Sequence, residues 1–251
     1  MSEQIKVLGV IPARLASTRL TRKVLREIAG EPMVSWVYRA ARACSRLDDV
    51  LIATDSAEVL SFAESRGYRA TMTPAECASG TDRVYAVAQS IEADIYVNIQ
   101  GDEPLLRPEH IDALLQPILA DQNIEVSTVA TPCPPEQIAD PNAVKVVIAN
   151  NGNALYFSRS TIPYDRDRQG SIMYMKHLGL YAYRKCALLR FPTLPHRNLE
   201  NAERLEQLRL LENGIPISVA ITPYDTIGVD TEDDLRRVEN LLLARQTGSD
   251  R

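Results

Sequence analysis

The sequence predicts an α/β protein built on a mostly parallel sheet, with an antiparallel insertion late in the chain. Three observations carry this expectation. Short runs such as Val7–Ile11 and Val50–Ala53 are apolar at successive positions, as strands covered on both faces must be. Stretches with apolar residues at three- and four-residue spacing follow them, so strand and helix alternate. Ala143–Ala149 and Ala154–Ser158 are joined by Asn150-Asn151-Gly152-Asn153, a hairpin signature that breaks the parallel order.

Each element has its own grounds. Pro12 ends the first strand. Glu31-Pro32 opens a helix whose Met33, Val34, Trp36, Val37, Ala40, Ala41 and Cys44 form a core face. Val50–Ala53 ends at Thr54-Asp55-Ser56, a natural helix cap. Ala57–Arg66 is then helical and stops at Gly67. Arg69–Met72 is a short third strand, and right-handed crossovers link the three. Ser79 caps a helix running to Ile91, with Asp82 at its positive end. Ile95–Ile99 is the next strand. Pro108–Ala120 is a helix with Ile111, Leu114, Leu115, Ile118 and Leu119 buried, and Val126–Thr131 is a strand. The hairpin follows, then a polar arm, Arg159–Gly170, and a strand at His177–Tyr183. The antiparallel region, about residues 143–184, is read as a substrate-side and dimerisation insertion in a single domain spanning 1–251. Leu199–Asn213 reads as one helix, with Ala202, Leu205, Leu208 and Leu211 inward and Glu203, Glu206 and Gln207 on polar flanks. Glu206 would pair with Arg209 at the surface. Ile217–Ile221 is a strand, Thr231 caps a final helix, and the tail from Gln246 is expected to be disordered.

Composition excludes several classes. The 251 residues carry a net charge of −5, which argues against non-specific nucleic-acid binding. Cys44, Cys77, Cys133 and Cys186 form no CxxC pair. They suggest neither a zinc site nor a disulfide framework, and suit a reducing compartment. The apolar run before Pro12 is too short for a signal-peptide core, and no stretch approaches the ~20 apolar residues of a membrane span. A soluble cytoplasmic protein, with neither nucleic acid nor membrane as partner, is expected.

Two stretches invite chemistry. Val97–Pro104 ends a strand in Gly101-Asp102-Glu103-Pro104. Acids at the carboxyl end of a strand lie where open α/β sheets bind ligands, and carboxylates can hold Mg²⁺ against phosphate. A polar turn with Asp as a helix cap is the other reading. Ala13–Arg26 carries Arg14, Arg19, Arg22, Lys23 and Arg26 and no acid, with small residues Ala16, Ser17 and Thr18 between. Such a loop suits a triphosphate, or else is a solvated basic surface. Ser79-Gly80-Thr81 is a helix cap that also offers amides and hydroxyls to a base. Asp230 is part of a cap or a second metal carboxylate.

The ordered set of motifs narrows these readings. It includes Ile11-Pro12-Ala13-Arg14, Ser17-Thr18-Arg19-Leu20, Ser79-Gly80-Thr81-Asp82-Arg83, Asn98-Ile99-Gln100-Gly101-Asp102-Glu103-Pro104 and Tyr156-Phe157-Ser158-Arg159. Ile162-Pro163-Tyr164-Asp165-Arg166, His177-Leu178-Gly179, Leu205-Glu206-Gln207-Leu208-Arg209 and Gly228-Val229-Asp230 follow. From about Val7 to the final helix the chain closely resembles the 3-deoxy-D-manno-octulosonate (KDO) cytidylyltransferases, the CMP-KDO synthetases of lipopolysaccharide biosynthesis. The resemblance implies transfer of CMP from CTP to KDO with release of pyrophosphate. It also implies a three-layer α/β/α, Rossmann-like fold of the nucleotide-sugar-transferase kind, a Mg²⁺ cofactor and a homodimer. Carried over, Arg14, Arg19 and Lys23 bind the CTP phosphates, and Ser79, Gly80 and Thr81 face cytosine and ribose. Asp102 and Asp230 hold the metal; with Lys23 and Arg14 they form the catalytic set. Gln100, Arg159, His177, Tyr181, Glu206 and Gln207 line the sugar-acid site.

One departure stands out. Members of that family usually carry Pro-Gly before the lysine, where this chain has Thr21-Arg22. Arg22 is expected to be denied the backbone angles of glycine, and to compensate by contacting a phosphate. Competing readings are CMP transfer to an 8-amino KDO analogue or another acid sugar, and an idle nucleotide-sugar-binding module.

Overall fold

The computed structural model of the protein describes residues 5–15, 20–167, 170 and 172–246. In chain order the elements begin β1 (Val7–Pro12), β2 (Glu27–Ile28), β3 (Glu31–Pro32), α1 (Met33–Arg42), β4 (Asp49–Thr54), α2 (Ala57–Ser65), β5 (Ala70–Met72), α3 (Gly80–Ala88), β6 (Ile95–Asn98) and α4 (Pro108–Ala120). They continue with β7 (Val126–Pro132), β8 (Lys145–Ile148), β9 (Ala154–Ser158), β10 (Met175–Arg184), α5 (Lys185–Arg190), α6 (Asn198–Glu203), α7 (Leu208–Glu212), β11 (Ser218–Ile221) and α8 (Glu232–Gln246). Contacts divide the chain into two compact units, Met1–Ile111 with Thr226–Arg251, and Asp112–Asp225. Among the described residues, no helix is long and apolar enough to cross a membrane.

The first unit contains the parallel sheet, in the order β6-β1-β4-β5. The chain steps outward from β1 through β4 to β5, then returns past β1 to β6. Right-handed crossovers in opposite directions put α3 on the face opposite α1 and α2. The order reverses between β1 and β6, and the crevice beyond their carboxyl ends is where such sheets take ligands. The loop after β1 and the Gln100–Pro104 turn both leave from there. Gly101 is required by proximity: a Cβ would lie 2.7 Å from the Pro12 carbonyl oxygen.

The second unit is mixed. β7 pairs in parallel with β11 and antiparallel with β10, β10 pairs antiparallel with β8, and β8 with β9. The expected hairpin forms, with Gly152 at φ 83°. The helix expected over Leu199–Asn213 does not form as one piece. Arg204 takes a left-handed conformation, φ 53° and ψ 46°, and separates α6 from α7. Ala202 is consequently exposed, while Gln207, expected on a polar flank, is buried. Arg209 pairs across the break with Glu200, at 2.5 and 2.8 Å, a partner that helical spacing did not suggest.

Candidate active site

An apolar cluster sets the backbone of the site in the first unit. Leu20, Ile28, Met33, Leu105, Val229, Leu235, Val238 and Leu242 are buried together. Burying such a side chain stabilises by about 1.5–3 kcal/mol. Leu20 precedes Lys23 by three residues, Leu105 follows Asp102 by three, and Val229 adjoins Asp230. The cluster therefore anchors three distant points of the chain beside one another. The Val229 amide donates to the Asp102 carbonyl at 2.9 Å, locking the two acid-bearing segments together. The Arg26 guanidinium donates to Glu232 at 2.9 Å, and the Ala29 amide to Glu239 at 2.8 Å. These bonds tie α8 to the loop and the β2–β3 hairpin.

Above this cluster Lys23 Nζ donates to Asp102 Oδ2 at 2.5 Å and to Asp230 Oδ1 at 2.7 Å. Burial works to lower the lysine pKa, but the charges and hydrogen bonds of Asp102 and Asp230 outweigh it and raise the pKa above its usual value. The ammonium stays charged. Two carboxylates that bracket one cation form a donor set suited to a hard divalent ion. Among the described residues no group of three or more His, Cys, Asp or Glu gathers into a metal cluster. An ion at Asp102 and Asp230 would complete its shell with phosphate and water oxygens, as Mg²⁺ commonly does. The residues fit the metal that the sequence resemblance implied.

Arg22 does not behave as expected. It adopts φ 56° and ψ 33°, the left-handed region, directly before the short 3₁₀ turn Lys23–Leu25. Its guanidinium is bonded to Glu58 of α2. Arg22 thus takes a left-handed conformation that is uncommon for a residue with a side chain but not confined to glycine, with its guanidinium paired to an acid of α2. Arg14 is exposed just beyond β1. Arg19, with Ala16, Ser17 and Thr18, lies outside the described residues, as does the tail beyond Gln246.

Ser79 begins α3 with a complete capping box: its Oγ accepts from the Asp82 amide at 3.1 Å, and Asp82 Oδ2 accepts from the Ser79 amide at 3.0 Å. Gly80 is half-buried over Asn98, and Thr81 is buried, taking a 3.4 Å bond from Asn98 Nδ2. Arg83, one turn on, is a residue to which the sequence argument gave no role. Its guanidinium is wholly buried and donates to Thr73 Oγ1 at 2.5 Å and Asp55 Oδ2 at 2.8 Å. It pins the Thr73–Ser79 loop to the end of β4. Gln100 is half-buried after β6, its carbonyl accepting from the Glu103 amide at 3.3 Å.

The second unit gathers part of the expected sugar-acid set. Thr128 Oγ1 donates to the Leu180 carbonyl at 2.7 Å and lies 3.0 Å from His177 Nε2. Desolvation pushes the His177 pKa down to about 3, and holds the Tyr181 phenol well above its usual value. The two rings lie 5.4 Å apart, with Phe157 at 5.0 Å from His177. Arg159 is bound to backbone, donating to the carbonyls of Glu203 at 2.7 Å, Pro141 at 3.0 Å and Arg204 at 3.4 Å. The Glu203 carboxylate accepts from Ser158 Oγ at 2.5 Å and the Arg159 amide at 2.9 Å. Sequence reasoning missed this role, because the broken helix sets it. Glu206 is half-buried, and Gln207 keeps a buried Nε2 without a hydrogen-bond partner.

Comparisons with known proteins agree with one another. A family model described as Cytidylyltransferase matches residues 8–219. Over 242 residues the chain is 67% identical to the 3-deoxy-manno-octulosonate cytidylyltransferase of Acidobacterium capsulatum, covering 96% of this chain and 98% of that one. It is 58% identical to the protein of the same name from Koribacter versatilis, covering 96% and 92%. A solved structure of CMP:2-keto-3-deoxy-manno-octonic acid synthetase complexed with CTP matches with a TM-score of 0.92 at 41% identity, covering 96% of this chain and 99% of that one.

Proposed function

The chain belongs to the 3-deoxy-manno-octulosonate cytidylyltransferase family, and from that premise we propose that it converts CTP and KDO into CMP-KDO and pyrophosphate. The sugar's anomeric oxygen bonds to the α-phosphorus as the bond from that phosphorus to the bridging oxygen of the β-phosphate breaks. The hydroxyl proton passes to solvent and pyrophosphate departs. Little covalent work falls to the protein, so positioning and charge neutralisation dominate.

Each residue has a part in that scheme. Arg14, Arg19 and Lys23 offset charge on the departing pyrophosphate. Asp102 and Asp230 hold Mg²⁺, which when bound neutralises phosphate charge and acidifies the attacking hydroxyl. Ser79, Gly80 and Thr81 face the nucleoside. Gln100, Arg159, His177, Tyr181, Glu206 and Gln207 serve the sugar acid, His177 as a neutral hydrogen-bonding ring. The observation that carries the reading is the meeting of Lys23, Asp102 and Asp230, from three separate motifs, at one point of the first unit.

The proposal extends to lipopolysaccharide biosynthesis in the cytoplasm, consistent with four cysteines that form no disulfide. It extends also to a homodimer, to which the exposed apolar Leu155 and Ile221 of the second unit would contribute. The test is pyrophosphate release from CTP across a panel of acid sugars, with and without Mg²⁺. Release with KDO that depends on Mg²⁺ is expected. Equal release with sialic acid or 8-amino KDO would move the substrate assignment, and no release with any of them would make the protein a binding module.

A further inference from the structure

Asp102 and Asp230 already hold a cation between them, and that cation belongs to the protein. Lys23 Nζ contacts one oxygen of each carboxylate, at 2.5 and 2.7 Å. A divalent ion bound to the same carboxylates would sit at about 2.0–2.1 Å from their oxygens if it were Mg²⁺. The ammonium and the ion cannot share that space, and like charges so close repel. The ammonium must also serve the triphosphate in the reading above, so it has two places to go. Its backbone need not follow, because Leu20 and Val24 on either side are buried. Only the flexible four-carbon stem has to turn.

We propose that Lys23 is a tethered stand-in for the metal ion. It closes the Asp102–Asp230 site until the nucleotide's phosphates draw the ammonium away, so the divalent ion enters with the nucleotide and not before it. The proposal rests on the reading of Asp102 and Asp230 as metal ligands, and adds an order of events that this reading alone does not require.

Mn²⁺ serves as the probe, its free form counted by electron paramagnetic resonance on the full chain without nucleotide. Lys23→Met and Lys23→Gln should each bind Mn²⁺ at least about tenfold more tightly than the wild type, a difference of one decade in Kd. Mn²⁺ should raise their Tm further than that of the wild type, since the ion stabilises the folded chain it binds. Adding a CTP analogue with a methylene between the α- and β-phosphates should tighten the wild type toward the variants. Equal Mn²⁺ affinities without nucleotide, or weaker binding by both variants, would overturn the stand-in role while leaving the metal site in place. If Lys23→Met with Asp102→Asn still binds Mn²⁺ as tightly as Lys23→Met alone, the ion is held elsewhere and the reading of the metal site itself fails.

Discussion

In the first unit the candidate groups are charged and bonded to one another: Lys23 lies between Asp102 and Asp230. In the second they are bonded to the fold: Arg159 to three backbone carbonyls, His177 to Thr128. A charged set balanced within itself can exchange partners when a ligand of matching charge arrives. A set committed to backbone carbonyls holds a shape, and loses stability when cut. The two regions should therefore answer mutation differently, the first in turnover and the second in stability.

The largest expected effect is at the acids. Asp102→Asn and Asp230→Asn should each lower Mg²⁺-dependent turnover about a thousandfold, since a metal ligand supports several kcal/mol of transition-state stabilisation. Circular dichroism and Tm should change little, because both carboxylates are partly exposed. Pyrophosphate release checks the rate. Near wild-type turnover in either variant would remove that residue from the site and erase half of the contrast.

Arg159→Ala tests the other half. Removing its guanidinium leaves the carbonyls of Glu203, Pro141 and Arg204 to water, costing about 1–2 kcal/mol. For a chain of this size that corresponds to a fall in Tm of roughly 2–8 °C. A rise in KM for the sugar with no change in Tm would show that Arg159 serves the ligand alone and that its backbone bonds add nothing to the frame.

The contrast also explains what the sequence could convey. Strands β1, β4 and β6, the helix cap at Ser79 and the span of α4 were legible, because local periodicity and caps determine them. Lys23, Asp102 and Asp230 were legible as separate motifs, but their direct bonding was not, since residues 23 and 230 are brought together by tertiary packing over the apolar cluster beneath them. The break at Arg204 escaped because nothing at that position marks a left-handed residue; an arginine there reads as ordinary helix. Glu203, Arg209 and Gln207 were misjudged with it. Arg83 was visible in its motif, but its burial against Thr73 and Asp55 is a tertiary fact.

His177 sharpens the comparison through pH. Its folded-state pKa of about 3 lies below the ordinary 6.5. Between those values the unfolded chain binds a proton that the folded one excludes, so His177 makes stability fall as pH drops from 6.5 toward 3. Above 6.5 the residue adds no pH dependence. Tm measured against pH should decline less steeply through that window in His177→Gln than in the wild type. An unchanged slope would mean that the ring titrates normally, and the second unit would lose its neutral character.

The smallest effect is expected at Arg22, where three terms of similar size oppose one another. The left-handed conformation costs a non-glycine residue about 1–2 kcal/mol. The ion pair with Glu58 joins side chains that are 57% and 44% exposed, and such pairs contribute about 0–1 kcal/mol. Glycine would relieve the strain, lose the pair, and free the unfolded chain by about 0.4–1 kcal/mol. The sum for Arg22→Gly is close to zero, so its Tm should stay near that of the wild type. Arg22→Val retains the strain, loses the pair and places a β-branched residue at positive φ, so it should be the less stable variant. Lys23 follows directly, and Arg22→Val should therefore raise KM for CTP while Arg22→Gly leaves it nearly unchanged. Without nucleotide the Arg22 guanidinium is bonded to Glu58, so to grip a phosphate, as the sequence suggested, it would first have to leave that partner. Glu58→Ala separates the two ideas. If releasing Arg22 from Glu58 lowers KM for CTP, the freed guanidinium reaches the triphosphate; if KM rises, the Glu58 bond had been holding the turn that aims Lys23.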